Sequence, residues 1–286
     1  MRILLFGADG QLGTDLNLLL KQQGDEVIPS IQTELDICDF EGVNRLVDCV
    51  APDAIVNTAA YHRVEDCEAH PEIAFAVNAL AVRNLAHASE RVGCVLAHFS
   101  TDYVFDGSKG TPYSEFDLPG PLNVYGASKV AGEHLIAFNT ERHFIIRTSG
   151  LYGLAGSAGK GGNFVENMLK RAAVSDTLRV VHDQVLTPTY TVDLALMVWR
   201  LLHSGHYGLF HVTSEGQCSW YEFTREFCRI EGVSVNLLPV TTDEFPSPVK
   251  RPAFSVLSKE RLQSVGLGSM PTWQDALSRY LRSRQR

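Results

Sequence analysis

Along roughly the first half of the chain, short apolar runs alternate with longer stretches of helical periodicity. Ile3–Phe6, Glu26–Pro29, Ala54–Asn57, Val95–Ser100, Phe144–Thr148 and Leu178–His182 read as strands. Between them, helices are predicted near Leu12–Gln22, Phe40–Val50, Pro71–Val92 and Ser128–Phe138. Strands that are apolar almost throughout, each followed by a helix, predict a parallel sheet covered on both faces. The expected class is therefore α/β, a Rossmann-type doubly wound sheet.

The regularity loosens from about Gly150. Five glycines fall in the ten residues from Gly153 to Gly162, the composition of a mobile loop. Helices follow near Asn163–Ala173, Thr191–His203, Trp220–Ile230 and Thr272–Arg282, with shorter strands near Leu209–Thr213 and Val235–Pro239. This pattern divides the chain into a dinucleotide-binding core, residues 1–150, and a smaller α/β region, 151–286, that is mainly substrate-binding. Residues 178–204 are expected to return to the core.

The first strand runs into Gly7-Ala-Asp-Gly10-Gln-Leu-Gly13 and then a helix. In that setting Gly7 makes the tight turn, Gly10 allows close approach to a pyrophosphate, and Gly13 allows the helix to pack on the strand. Further on, Tyr125-Gly-Ala-Ser-Lys129 places a phenol and an ammonium four residues apart. On a helix they share a face one turn apart. A cation there favours the phenolate and lowers a pKa that is ordinarily ~10. A hydroxyl such as Thr101, at a strand end, is placed to hold a carbonyl against that phenol. The three groups suit reversible ketone reduction, with hydride from the dinucleotide; the plain alternative is a Tyr/Lys pair at a surface helix start. The other notable residues, Asn57-Thr-Ala-Ala-Tyr61 and Ser100-Thr-Asp-Tyr103, fall at strand C-terminal ends, where open α/β sheets bind ligands.

Bulk properties narrow the field. A length of 286 residues buries a sizeable core, and 45% hydrophobic with 20% charged residues is ordinary for a soluble globular protein. A net charge of −8 argues against nucleic acid as a general partner. No long apolar run suggests a membrane span, and the opening apolar stretch reads as a strand rather than a signal peptide. Six scattered cysteines without a Cys-x-x-Cys pair suggest reduced thiols in a cytoplasmic protein. Neither they nor the ten histidines show metal-ligand spacing, so no metal site is expected.

The glycine motif, Leu35-Asp36-Ile-Cys-Asp39, Ala60-Tyr-His-Arg-Val-Glu65, Ser100-Thr-Asp-Tyr-Val-Phe105, Asn123-Val-Tyr-Gly126, Arg147-Thr-Ser149, Asp183-Gln184 and Arg251-Pro252 occur in order. Together they resemble the extended short-chain dehydrogenase/reductases, and within them the dTDP-4-dehydrorhamnose reductases. The resemblance runs nearly end to end. It implies reduction by NADPH or NADH of the 4-keto group of a dTDP-6-deoxyhexose, dTDP-4-dehydro-L-rhamnose above all, with a homodimer left open. It further implies that Tyr125 is the general acid, that Lys129 binds the nicotinamide ribose, that Thr101 holds the keto oxygen, and that Asp102 lines the sugar site. By the same resemblance Gly10, Gln11 and Leu12 touch the pyrophosphate, Asp36 and Ile37 the adenine, and Ala60, Tyr61 and His62 the nicotinamide half. Asn163 and Arg251 are implied at the nucleotide of the substrate. Asp36 also suits a cap for the helix near Phe40, Arg251 a solvated surface cation, and Asn78 either a place under the cofactor or helix packing. Trp220 and Trp273 read as core.

Departures from the family pattern fall around the cofactor and sugar. The second strand ends Ile28-Pro29-Ser30, without the acidic residue that usually takes the adenosine ribose and without an arginine for a 2′-phosphate. Gly150 stands where the family usually has tryptophan, Leu186 where it has glycine, and His62 where threonine is common. Tyr103 replaces the glutamate of the 4,6-dehydratases, and Thr101 the cysteine of the fucose-synthase type; both favour a plain reductase. The remaining alternatives are another extended short-chain epimerase or reductase, and a silent NADP-binding subunit like the regulatory partner of methionine adenosyltransferase. The intact Thr101, Tyr125 and Lys129 argue against the silent subunit.

Overall fold

A computed structural model describes residues 1–156, 161–245 and 247–285. Five strands of the central sheet are β1 (Arg2–Phe6), β2 (Glu26–Ser30), β3 (Ala54–Asn57), β4 (Val95–Thr101) and β5 (His143–Thr148). With Gly208–His211 they form one parallel sheet in the order Gly208–His211, β5, β4, β3, β1, β2. The chain crosses from β2 over β1 to β3, so the order reverses between β1 and β3. A crevice opens at such a point beyond the strands' C-terminal ends.

The apolar runs sort onto two faces by strand alternation. Ile3 and Leu5 pack against Leu12, Leu16 and Leu20 of the helix Gln11–Gln22 and Leu194 and Val198 of the helix Thr191–Leu202. Leu4 and Phe6 face Val43 and Val47 of the helix Phe40–Val50 and Leu85 of the helix Ala81–Val92. A third core gathers Tyr152, Phe223, Phe227, Trp273 and Tyr280, with Trp220 packed against it. It lies among the helices Phe164–Ala172, Trp220–Glu231 and Trp273–Arg284, so both tryptophans have the core role expected of them.

Two strand assignments are corrected. The run expected at Leu178–His182 forms Thr177–Val181, but it pairs with Asn236–Val240 outside the central sheet. The sixth sheet strand is instead Gly208–His211, beside β5. Thr177 and Arg179 are exposed while Leu178 and Val180 are buried, and a strand with one polar face cannot sit in a sheet covered on both sides. The expected helix Pro71–Val92 is continuous but has a π-turn at Ala76–Leu80. Four two-residue strands, a short helix at Val64–Ala69 and another at Glu260–Ser264 were not legible in the pattern. Part of the glycine-rich segment, 157–160, lies outside the described residues. Among the described residues, no helix is long and apolar enough to cross a membrane, and no group of three or more His, Cys, Asp or Glu side chains is placed to hold a metal ion.

Candidate active site

The glycine loop joins β1 to the helix Gln11–Gln22. Gly7 has a φ of 72°, and a Cβ there would stand 2.7 Å from Thr58 Oγ1 and 2.8 Å from the Ala59 nitrogen. A Cβ on Gly13 would stand 2.0 Å from the Gly7 carbonyl oxygen, so only glycine lets the helix lie this close to the loop. Gly10 starts the helix with no side-chain cap, which leaves the first-turn amides to meet an anion. The Gln11 Oε1 is buried beside them with no hydrogen-bond partner. Uncapped amides, an orphaned polar atom and a loop packed so closely that positions 7 and 13 admit only glycine all fit a dinucleotide pyrophosphate. The Leu12 side chain is buried in the core, so only its backbone faces this site.

The loop after β3 closes the other side of the crevice. Thr58 Oγ1 hydrogen-bonds the Phe6 and Gly7 carbonyls at 2.8 and 2.9 Å, tying it to the glycine loop. Asn78, wholly buried on the π-turn, accepts the Tyr61 N–H at 3.0 Å and donates Nδ2–H to the Tyr61 carbonyl at 2.8 Å. The same Nδ2 reaches Ser128 Oγ on the next helix at 3.0 Å. A Cβ on Gly132 of that helix would stand 2.3 Å from the Asn78 carbonyl oxygen, so the two backbones nearly touch. Asn78 therefore has the helix-packing role, one of the two entertained for it, and also holds the loop after β3. His62 Nδ1 lies 3.3 Å from the Ala60 carbonyl.

Tyr125 and Lys129 sit on the helix Val124–Asn139, which begins earlier than its periodicity suggested. Asn123 is the cause: its side chain accepts the Gly126 N–H at 2.8 Å and donates to the Lys250 carbonyl at 2.9 Å. The pair is thus helical and one turn apart. Thr101, at the end of β4, pulls the Tyr125 phenol down and so opposes the effect of burial, which pushes it above its ordinary value. The Tyr103 ring lies edge-on to Tyr125 at 6.1 Å. Lys129 is 1% exposed, and burial pulls its pKa down to about 7 against the opposing pull of Glu133. Its Nζ lies 3.0 Å from His98 Nε2, a contact the sequence reading missed. The expected lowering of the Tyr125 pKa by Lys129 does not appear: burial dominates the phenol, and Lys129 is itself driven towards neutrality.

Asp102 is 3% exposed and accepts hydrogen bonds from Thr101 Oγ1, Ser149 Oγ and Ser255 Oγ at 3.1, 2.8 and 2.5 Å. It clamps the ends of β4 and β5 to the segment around Ser255. Burial raises its pKa and the three hydroxyls oppose this. Arg251 is half-buried and ion-paired with Glu65, and it donates to Ser247 Oγ at 2.7 Å. With Gln184 and Thr242 these residues line a cavity of about 310 Å³. Arg251 also opposes the burial that pushes the Tyr103 phenol up. Arg251 is therefore no solvated surface cation. A cleft of about 550 Å³ between Met1, Asp53, Gly93 and Arg142 lies at the opposite, N-terminal edge of the sheet and meets none of these groups.

Three expected residues are placed differently. Asn163 caps the helix Phe164–Ala172: its Oδ1 accepts the Glu166 N–H at 3.0 Å, and its Nδ2 donates to the Gly153 carbonyl at 2.9 Å and Tyr280 Oη at 2.8 Å. Both amide hydrogens are thus committed, and one Oδ1 lone pair is left for a substrate. Asp36 does not cap the helix near Phe40, which Asp39 does; it is exposed and accepts the Cys38 N–H at 2.8 Å in a local turn. The Ile37 side chain is in the core.

A dinucleotide cradle at the switch point, with a tyrosine, a lysine and a threonine converging beyond it, defines an oxidoreductase of the short-chain dehydrogenase/reductase class. The chain belongs to the RmlD substrate binding domain family, whose model matches residues 1–286. It is 42% identical over 283 residues to the spore coat polysaccharide biosynthesis protein SpsK of Bacillus subtilis (strain 168), covering 99% of this chain and 98% of that one. The crystal structure of a dTDP-4-dehydrorhamnose reductase from Clostridium acetobutylicum superposes with a TM-score of 0.95 at 40% identity, over 100% of both chains. The dTDP-4-dehydrorhamnose reductase of Bacillus anthracis in complex with NADP gives 0.94 at 38% identity, over 99% of both.

Proposed function

We propose that the chain reduces the 4-keto group of a dTDP-linked 6-deoxyhexose, dTDP-4-dehydro-L-rhamnose being the leading substrate, with NADPH or NADH. The observation that carries this reading is the approach of Thr101, at the end of β4, to the Tyr125 phenol, close enough to lower its pKa, beside the dinucleotide cradle. When bound, the nicotinamide supplies hydride to the carbonyl carbon. Tyr125, kept protonated by burial, gives its proton to the carbonyl oxygen, and Thr101, its one hydroxyl hydrogen turned from Asp102 to the substrate, holds that oxygen in place. Lys129 meets the nicotinamide ribose. Gly7, Gly10, Gln11, Leu12 and Gly13 bind the pyrophosphate largely through backbone, Asp36 and the Ile37 backbone meet the adenine end, and Ala60, Tyr61 and His62 the nicotinamide half. Arg251, in the cavity with Gln184, reaches the substrate phosphates. Asp102 positions Thr101 rather than reacting.

In this reading residues 1–150 hold the cofactor and 151–286 mainly the sugar nucleotide, with the helix Thr191–Leu202 joining the core. The enzyme works in the cytoplasm and needs neither membrane nor nucleic acid. The test follows NADH and NADPH oxidation with a panel of dTDP-4-keto-6-deoxyhexoses and identifies the product sugar. Turnover of dTDP-4-dehydro-L-rhamnose to dTDP-L-rhamnose is expected; no oxidation with any keto-sugar would refute the reading.

A further inference from the structure

We propose that Asn57 and His98 set the charge of Lys129: their hydrogen-bond polarity holds the lysine as a neutral amine in the protein by itself, and binding of the dinucleotide charges it, so that binding takes up a proton. This rests on the reading above that Lys129 meets the nicotinamide ribose.

Donor and acceptor counting decides the polarity. Asn57 is fully buried, and its Oδ1 accepts the Ala59 N–H at 3.0 Å, which fixes the amide orientation. Its Nδ2 therefore faces His98 Nδ1, 3.0 Å away. Nδ2 has only hydrogens to offer, so His98 Nδ1 must be the acceptor, and the imidazole carries its one proton on Nε2. That Nε2–H points at Lys129 Nζ, 3.0 Å away. A donor needs a lone pair, and a lysine nitrogen has one only as the neutral amine. An ammonium there would set hydrogen against hydrogen inside a buried site.

The surroundings agree. His98 and Lys129 are each 1% exposed, and burial lowers the pKa of both, which favours the neutral imidazole and the neutral amine. The titratable groups facing Lys129 are Tyr125 and Glu133 from its own helix, His98 from β4 and the Cys67 thiol from the helix Val64–Ala69. Glu133 would favour the ammonium, but Arg147 holds its carboxylate from two sides, at 2.9 and 2.6 Å. Ribose hydroxyls offer lone pairs in place of the His98 N–H, and the nearby phosphates favour positive charge, so the bound lysine gains a proton. The sign follows from linkage: a group whose pKa rises on binding takes up a proton only above its value in the protein alone, here about 7. Affinity for the dinucleotide should then fall by up to ~10-fold per pH unit above neutrality.

The test is calorimetric titration of the full chain with NADH at about pH 8, in two buffers of different ionisation enthalpy, which counts protons independently of turnover. The wild-type chain should take up about one proton per site. Asn57→Asp is isosteric, keeps an acceptor for the Ala59 N–H, and offers His98 Nδ1 a carboxylate. His98 then carries its proton on Nδ1, Nε2 becomes an acceptor, and Lys129 is charged beforehand. This variant should bind NADH with little or no proton uptake. Equal uptake in variant and wild type, or none in the wild type, would overturn the proposal. If Asn57→Asp fails to fold, Lys129→Met decides: it should bind more weakly and without uptake, and persistent uptake would place the proton elsewhere. Failure of the wild-type chain to bind either NADH or NADPH would overturn the cofactor reading itself, and the inference with it.

Discussion

Leu186 fills the space beside Gly150. A Cβ built at position 150 would stand 2.8 Å from Leu186 Cδ1 and 3.1 Å from Pro188 Cα, and the Gly150 φ is +54°. This contact supports the expectation that Leu186, with His62, refills room left by the missing indole, a volume-conserving swap of the kind that packed sites tolerate best. Gly150→Trp should therefore clash, strain the backbone by ~1–3 kcal/mol and lower kcat/KM for dTDP-4-dehydro-L-rhamnose. The double variant Gly150→Trp with Leu186→Gly should recover part of the loss. A gain in the single variant would instead mean an open pocket built for a bulkier keto-sugar.

Tyr125→Phe keeps the ring and removes only the proton. It should bind cofactor nearly as well as the wild type and lose turnover by ~10²–10⁴-fold. A variant that keeps more than about a tenth of the wild-type rate would remove Tyr125 from the role of acid.

Asn78 makes three hydrogen bonds, two to the Tyr61 peptide and one to Ser128, and touches no reacting atom. Asn78→Ala leaves the Tyr61 N–H unpaired and its carbonyl with only the weak Cys67 thiol, at a cost of ~1–3 kcal/mol. The loop beside the nicotinamide loosens, so KM for the cofactor should rise more than kcat falls. An equal fall in kcat at unchanged KM would contradict a positioning role.

The Ser30 carbonyl accepts the Gly7 and Ala8 amides at 3.0 and 3.3 Å, so the end of β2 lies against the glycine loop as the sequence suggested. Ser30→Asp places a carboxylate there that accepts from ribose hydroxyls and repels a 2′-phosphate. The ratio of kcat/KM for NADH over NADPH should rise by roughly 10-fold, the effect of one charge-assisted hydrogen bond. An unmoved ratio would put the adenosine ribose elsewhere, with the exposed carboxylate of Asp36 the next candidate.

What the chain reveals by itself is what short-range geometry governs. Gly7, Gly10 and Gly13 announce a strand-loop-helix cradle because their spacing and their lack of a side chain are local properties. Tyr125 and Lys129 announce a shared helical face for the same reason, and the buried strands announce themselves by unbroken apolar runs. Tertiary structure alone decided everything that depends on distant partners. Thr177–Val181 and Gly208–His211 exchange places because membership of the sheet depends on what covers each face, although the exposed Thr177 and Arg179 were a signal. Asp102 reads as a substrate contact until Ser255, far along the chain, folds back onto it. Asn163 reads as a ligand until the Gly153 carbonyl and the Tyr280 hydroxyl claim its amide. His98 went unremarked in the sequence, where its only signal is to be a polar residue in the middle of an apolar strand. Its bond to Lys129 on a later helix exists because β4 and that helix pack face to face, and no pattern along one dimension records which two side chains a fold brings within 3.0 Å.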